Sequence, residues 1–222
     1  MSRSGSAFRP PRPVEVVIPG PAGPLQGLVE DPGEPADEVA VLCHPHPLYH
    51  GTMNNKVVHA LARAANRLRV PAVRFNFRGV ADSGGAWDEG RGETDDALAV
   101  VEWAHQQWPD RRLWLGGFSF GSYVALNAAP TAEPAALVTV APPVRRFPVE
   151  EVRTPTCPWL VIHGADDELV DASAVREWVA RLAPAPRLEV VPETTHFFHG
   201  RLNVLQDTVR GFWEACRQEE PA

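Results

Sequence analysis

Two hydrophobic patterns alternate along the chain. Short runs of consecutive apolar residues predict strands that are buried on both faces of a sheet, whereas longer segments with apolar residues every three or four positions predict helices. The predicted strands cover residues 14–18, 25–30, 39–43, 72–77, 112–115, 136–141, 158–163 and 187–191. The predicted helices cover residues 57–68, 94–107, 119–128, 175–182 and 202–216.

This alternation indicates an α/β fold with a mostly parallel central sheet and helices on both faces. The first two strands flank a segment rich in Pro and Gly, residues 19–24, and are expected to form an antiparallel N-terminal pair. A single domain is expected over residues 14–222, after a flexible arm at residues 1–13. Ligands bind beyond the carboxyl ends of the strands in such sheets, so catalytic side chains are expected there.

A candidate nucleophile follows the predicted strand at 112–115. Gly117-Phe118-Ser119-Phe120-Gly121 fits the pattern G-x-S-x-G, between a strand and a helix. Glycines on both sides allow a tight turn, which would expose the Ser119 hydroxyl above the sheet. The competing interpretation is a glycine-rich turn in which Ser119 only caps the helix.

A serine needs a positioned base, which is in turn oriented by an acid. Acids stand just after the strand at 158–163, and His196 stands just after the strand at 187–191, so the order is serine, acid, histidine. Acids in such loops are more often solvated or cap the next helix, as Asp171 could do. His199 competes with His196 as the base, whereas His163, directly before the acid loop, is interpreted as structural.

The chain resembles the α/β-hydrolase superfamily over most of its length. The motifs that carry the resemblance are Gly117–Gly121, the spacing Gly164-x-x-Asp167, and the late His196. It is most similar to a small bacterial branch of esterase-like and dienelactone-hydrolase-like members, in which a His-Pro-His-Pro segment follows the third strand. The segments of that branch are found here at residues 44–47, 76–84 and 195–198.

The resemblance implies a catalytic triad of Ser119, His196 and Asp167, the acid that lies three residues past Gly164. Asp171 stands where many members have proline, so it remains a competing acid.

An oxyanion hole needs backbone N–H donors. The amide of Phe120, the residue after the nucleophile, is expected to be one of them. Pro45 and Pro47 have no N–H, so only His44 and His46 in their segment can donate. The resemblance selects the amide of His46.

A metal site is an alternative interpretation of His44, His46 and His50, with His196 or Asp167 as a further ligand. The sequence contains neither a Cys-x-x-Cys nor a His-Glu-x-x-His pattern to support it. We therefore expect neither a metal nor another cofactor. Arg78, after a strand end, could meet an acidic substrate group, but such arginines more often pair with nearby acids.

Charge and composition narrow the possible partners. The net charge of −7 argues against nucleic acid, whose phosphates require clustered Lys and Arg. No apolar run approaches the roughly 20 residues of a membrane span, and residues 1–13 do not fit a secretory signal. A cytoplasmic location is therefore expected, with the oligomeric state left open. Cys43, Cys157 and Cys216 are too few for a disulfide framework, and Cys43 and Cys157 are expected to be small core residues.

The connection at residues 142–155 is rich in proline and too short for a large lid domain. We therefore expect an open or modest pocket and a small-molecule substrate, a small or medium ester or thioester cleaved through an acyl-enzyme. Trp87, Phe147, Phe197 and Phe198 are candidate wall residues. The alternatives are a non-catalytic binding module of the same fold and, among enzymes, a thioesterase, a lactone hydrolase or a peptidase.

Overall fold

An eight-stranded sheet forms the centre of the protein in a computed structural model that describes residues 8–33 and 36–218. The strands are β1 (Val14–Gly20), β2 (Gly23–Glu30), β3 (Glu38–Cys43), β4 (Ala72–Phe75), β5 (Arg112–Phe118), β6 (Ala136–Val140), β7 (Trp159–Gly164) and β8 (Arg187–Val191). They lie in the order β1-β2-β4-β3-β5-β6-β7-β8. β2 is antiparallel to both of its neighbours, and every other pair is parallel.

Helices cover both faces of this sheet and divide the interior into two apolar cores. The helices are α1 (Lys56–Arg67), α2 (Arg91–Gln107), α3 (Phe120–Ala132), α4 (Ala172–Val179) and α5 (Leu202–Gln218). One core joins the sheet to α2, α3 and α4, and the other joins it to α1 and α5, where the rings of Trp114 and Trp213 stack at 4.9 Å. Each large apolar side chain buried in this way contributes about 1.5–3 kcal/mol. The predicted α/β class, with its mostly parallel sheet and antiparallel opening pair, is confirmed.

Several predicted boundaries were wrong by a few residues. β5 continues through its two glycines to Phe118 because they pair in register with Val138 and Thr139 of β6. α2 begins three residues earlier than predicted, since the carboxylate of Glu93 accepts the N–H of Gly90 at 2.7 Å and so caps the first turn.

The connection between β6 and β7, residues 141–158, contains one short 3-10 turn at Val149–Glu151 and no inserted domain. The expectation that no large lid is present is confirmed. We call residues 142–155 the flap.

The predicted N-terminal arm lies partly outside the described residues, and its remainder, residues 8–13, forms neither helix nor strand. No helix in the described ranges combines the length and hydrophobicity needed to cross a membrane.

Candidate active site

Ser119 occupies a sharp turn between β5 and α3, with φ 53° and ψ −119°. A Cβ on Gly117 would clash with the carbonyl oxygen of Gly121, and a Cβ on Gly121 would clash with that of Cys43. Both glycines of the motif are therefore required by close backbone approach. The Ser119 side chain makes no capping hydrogen bond to α3, so the cap interpretation of this residue is wrong.

His196 lies between Ser119 and Asp167. Its Nε2 is 3.1 Å from the Ser119 Oγ, and its Nδ1 is 2.7 Å from Oδ2 of Asp167. An ionised carboxylate can only accept hydrogen bonds, so Nδ1 carries the proton and Nε2 is free to accept the serine hydroxyl. The structure thus brings together the three residues predicted from separate strand ends.

The carboxylate of Asp167 is buried, and burial alone would raise its pKa. The hydrogen bond from His196, together with the backbone N–H groups of Val170 and Leu169 at 2.8 Å, outweighs this effect and leaves the pKa below its usual range. Asp167 is therefore ionised at neutral pH and can orient the imidazole.

The loops that carry the acid and the histidine are held against each other. The N–H of Asp166 donates to the carbonyl oxygen of Thr194 at 3.0 Å, and the N–H of His196 donates to the Glu168 carboxylate at 3.1 Å. A Cβ on Gly164 would clash with the carbonyl oxygen of Thr194. The glycine three residues before the acid thus allows the two loops to meet.

The competing acid and bases take other roles. Asp171 caps α4, where its carboxylate accepts the N–H of Ser173 at 2.8 Å. His163 is fully buried, and its Nε2–H donates to the carbonyl oxygen of Val170 at 2.9 Å, in line with a structural role. Neither Asp171 nor His199 contacts Ser119 or His196 through a hydrogen bond within the described residues.

The segment after β3 borders the same site. His44 is buried with both ring nitrogens bonded: Nδ1 donates to the carbonyl oxygen of Pro45, and Nε2 accepts the N–H of Phe77 at 3.0 Å. Burial lowers the pKa of His44 to about 3, although the bond to Pro45 opposes this shift. The next histidine, His46, lines the cleft beside Phe120, and burial lowers its pKa as well. The assignment of their amides as oxyanion donors stays a prediction.

The hydrogen bonds of His44 disfavour a metal site at His44, His46 and His50. Both ring nitrogens of His44 are bonded to backbone groups, so this ring cannot bind an ion. Within the described ranges, no three His, Cys, Asp or Glu side chains form a group that could hold a metal. Arg78 is also committed elsewhere: its guanidinium forms two hydrogen bonds to the buried carboxylate of Asp96, at 2.8 and 3.0 Å.

A cleft of about 650 Å³ opens at Ser119 and His196. Two of the predicted wall residues, Phe147 and Phe197, line it. The prediction for Phe198 was wrong, since this residue is fully buried in the core. Trp87 does not line the cleft either, but its ring stacks on that of His46 at 4.5 Å. The other lining residues, which the sequence did not reveal, include Tyr49, His50, Asn55, Pro143, Arg146 and Leu169. Tyr49 and Arg146 lie in the loops that follow β3 and β6. Their position after strand ends was the one feature of the sequence that could have marked them as lining residues.

Comparisons with known proteins agree with the fold. A family model for the α/β hydrolase fold matches residues 48–154. A Xanthomonas campestris structure, named as an α/β serine hydrolase without lid, is 41% identical, covers 98% of this chain and 99% of its own, and has a TM-score of 0.88. An α/β serine hydrolase homologue from Coxiella burnetii is 39% identical, covers 89% of this chain and 96% of its own, and has a TM-score of 0.86. An uncharacterized protein of Rickettsia prowazekii (strain Madrid E) is 33% identical over 208 residues, 89% of this chain and 87% of its own length.

Proposed function

The chain belongs to the α/β-hydrolase family, and we propose on that basis that it is a serine hydrolase which cleaves a small or medium carboxylic ester or thioester. The observation that carries this proposal is the continuous hydrogen-bond chain from the Ser119 hydroxyl through His196 to Asp167. Nucleophilic catalysis requires such a chain, in which the base activates the serine and the acid orients the base.

The proposed reaction has two steps. Ser119 Oγ attacks the carbonyl carbon while His196 Nε2 takes its proton, and Asp167 stabilises the imidazolium that forms. The tetrahedral intermediate collapses to an acyl-enzyme as His196 returns the proton to the leaving oxygen or sulfur. Water then attacks the acyl-enzyme, again with His196 as base, and releases the acid and free Ser119.

The negative oxygen of the intermediate would be held by the amides of His46 and Phe120. Phe120 is the first residue of α3, where N–H groups lack partners within the helix. Both residues line the cleft at Ser119, and neither amide donates to another protein group in residues 8–33 and 36–218. Both are thus available to a bound oxygen.

The strained backbone at Ser119 favours catalysis over the binding-module alternative. A non-glycine residue with positive φ costs of order 1–3 kcal/mol, and it persists where the surrounding structure imposes it. A module that only binds a ligand has no need of a strained serine aligned with a histidine and an acid.

The size and wall of the cleft support a substrate of limited length. Its volume of about 650 Å³ and its apolar lining, which includes Phe120, Phe147 and Leu169, suit a short or medium acyl chain. The flap borders the cleft without enclosing it, so soluble esters can enter.

The experiment combines active-site labelling with a substrate panel. A fluorophosphonate probe should label wild-type protein but not Ser119→Ala, whereas Ser173→Ala, an exposed serine on α4, should label normally. Turnover of p-nitrophenyl esters and coenzyme A thioesters of rising acyl length, with lactones and peptides alongside, identifies the preferred bond. Equal turnover by wild type and Ser119→Ala, at the same melting temperature, would overturn the proposal.

A further inference from the structure

A second cavity, of about 330 Å³, adjoins the catalytic cleft. The two share His50, Asn55 and Phe197 in their walls, so they lie side by side. The second cavity is the more polar of the two, since it adds the side chains of Thr52, Lys56 and His199. We call it the side pocket.

The side pocket carries a positive charge that the protein does not neutralise. Lys56 is the only lysine in the 222 residues of a chain with a net charge of −7. It has no ion pair within the described ranges, and no Asp or Glu is among the residues there that line either cavity. Arg146 on the flap, which lines the catalytic cleft, also has no ion pair in those ranges, whereas its neighbour Arg145 pairs with Glu177 at 2.8 Å. An anionic group entering the side pocket would therefore meet an unpaired ammonium group.

The pocket also supplies neutral hydrogen-bond donors. The Oγ1 of Thr52 accepts the N–H of Asn54 at 3.2 Å, which leaves its hydroxyl proton free to donate. His50 and His199 each carry a ring N–H. A carboxylate or a phosphate, with several acceptor oxygens, matches this set of donors.

Phe197 places the side pocket next to the catalytic base. The ring of Phe197 is 5.1 Å from that of His196 and 6.0 Å from that of His199, so it stands between the base and the pocket. In the proposed reaction His196 protonates the leaving oxygen or sulfur, which must therefore lie beside its ring. A leaving group that continues past Phe197 would enter the side pocket, whose wall includes Lys56.

We propose that the alcohol or thiol portion of the substrate carries an anionic group, a carboxylate or a phosphate, which binds in the side pocket to Lys56. The acyl portion occupies the apolar cleft. This inference rests on the proposed serine hydrolase function, and it assigns Lys56 as a residue that determines specificity for the leaving group.

The test compares acetate esters that differ only in the charge of the leaving group. The substrates are para-acetoxybenzoate, its neutral analogue para-acetoxybenzamide, and para-acetoxyphenyl phosphate. Each kcat/KM is divided by the rate of hydrolysis by hydroxide alone, which removes the difference in leaving-group reactivity. We expect wild type to prefer an anionic ester over the amide by about three- to tenfold, the range for one partly solvated charged hydrogen bond. The preference should decline as salt is added.

Variants identify the residue responsible. Lys56→Gln should abolish the preference and Lys56→Arg should keep most of it, while Arg67→Gln, which removes a charge at the far end of the same helix, should retain it in full. The ratio between esters is compared within each variant, so partial loss of folded protein does not affect it.

Three outcomes would overturn the inference. The first is that wild type cleaves the anionic and neutral esters with a kcat/KM ratio near one, while the ester bond of para-acetoxybenzamide is still cleaved through Ser119. That outcome leaves the proposed function intact. The second is a preference that Arg146→Gln abolishes and Lys56→Gln does not, which would place the anion at the flap. The third is failure to cleave any of the three esters together with failure of the Ser119 labelling, in which case both proposals fall.

Discussion

The Nδ1–H of His44 donates to the carbonyl oxygen of Pro45 at 2.6 Å. That carbonyl belongs to the same planar trans peptide as the N–H of His46, so the two groups point in opposite directions. Holding the oxygen in the interior therefore aims the N–H the other way. The second ring nitrogen of His44 is bonded to the N–H of Phe77, which ties this peptide to the end of β4. His44 is thus a positioning residue for the proposed oxyanion donor.

Replacing His44 should impair the chemical step more than substrate binding. His44→Phe keeps an aromatic ring at this position but loses both hydrogen bonds. We expect kcat to fall by about 10–100-fold, which is less than the 10²–10³-fold loss for complete removal of one oxyanion donor. His44→Asn, whose amide nitrogen can replace Nδ1, should recover part of this loss. Steady-state kinetics on a short p-nitrophenyl ester checks the prediction, and an unchanged kcat in a folded His44→Phe protein would contradict it.

The same histidine should make stability depend on pH. Burial lowers the pKa of His44 from an unfolded value of about 6.5 to about 3, so between these values the unfolded chain binds a proton that the native protein does not. Stability is therefore at its full value, as far as His44 is concerned, above pH about 6.5. As the pH falls below that value, the free energy of unfolding decreases by about 1.4 kcal/mol per pH unit. Urea unfolding at a series of pH values gives the slope of the unfolding free energy against pH, which counts the protons taken up on unfolding. We expect this count to be lower by about one in His44→Asn. Equal slopes would mean that His44 is protonated in the native state.

Asp167 and Asp171 should respond differently to substitution. Asp167→Asn presents an amide that can donate to Nδ1 and so favours the wrong imidazole tautomer, and we expect kcat to fall by about 10³–10⁴. Asp171→Ala removes a helix cap, so it should lower the melting temperature modestly and leave kcat unchanged. Turnover measured beside thermal unfolding separates the two effects, and the reverse pattern would make Asp171 the catalytic acid.

The sequence predicted which catalytic candidates follow the strands, although the exact ends of some strands were wrong. Ser119 and His196 each follow a continuous apolar run, and the carboxyl ends of parallel strands meet at one edge of the sheet. The choice of Asp167 over its neighbours could not come from periodicity. It depends on which carboxylate the turn directs inward, and only the family resemblance pointed to it.

The walls of the cleft were harder to predict, because aromatic residues serve the core and the cleft equally well. Phe197 and Phe198 are adjacent in sequence, yet Phe197 is 38% exposed in the cleft and Phe198 is fully buried. The positive φ of 54° at Phe198 marks a turn that directs neighbouring side chains apart. Nor could the sequence indicate that Lys56 remains without a partner, since ion pairing depends on residues distant along the chain.

The glycine before the acid loop offers a test of how closely the catalytic loops must meet. A Cβ at position 164 would clash with the carbonyl oxygen of Thr194, so Gly164→Ala should push the Asp167 loop away from the His196 loop. A shift of about 1 Å in such a site can cost about 10²-fold in rate, and we expect a loss of that order in kcat together with a lower melting temperature. Gly211→Ala on α5 is the matched control, because apart from its chain neighbours and the backbone of its own helix no atom lies within 4 Å of the added Cβ, and alanine is the better helix former. It should keep full activity and raise the melting temperature slightly. Full activity in Gly164→Ala would show that the acid and the base tolerate a wider separation than their 2.7 Å contact implies.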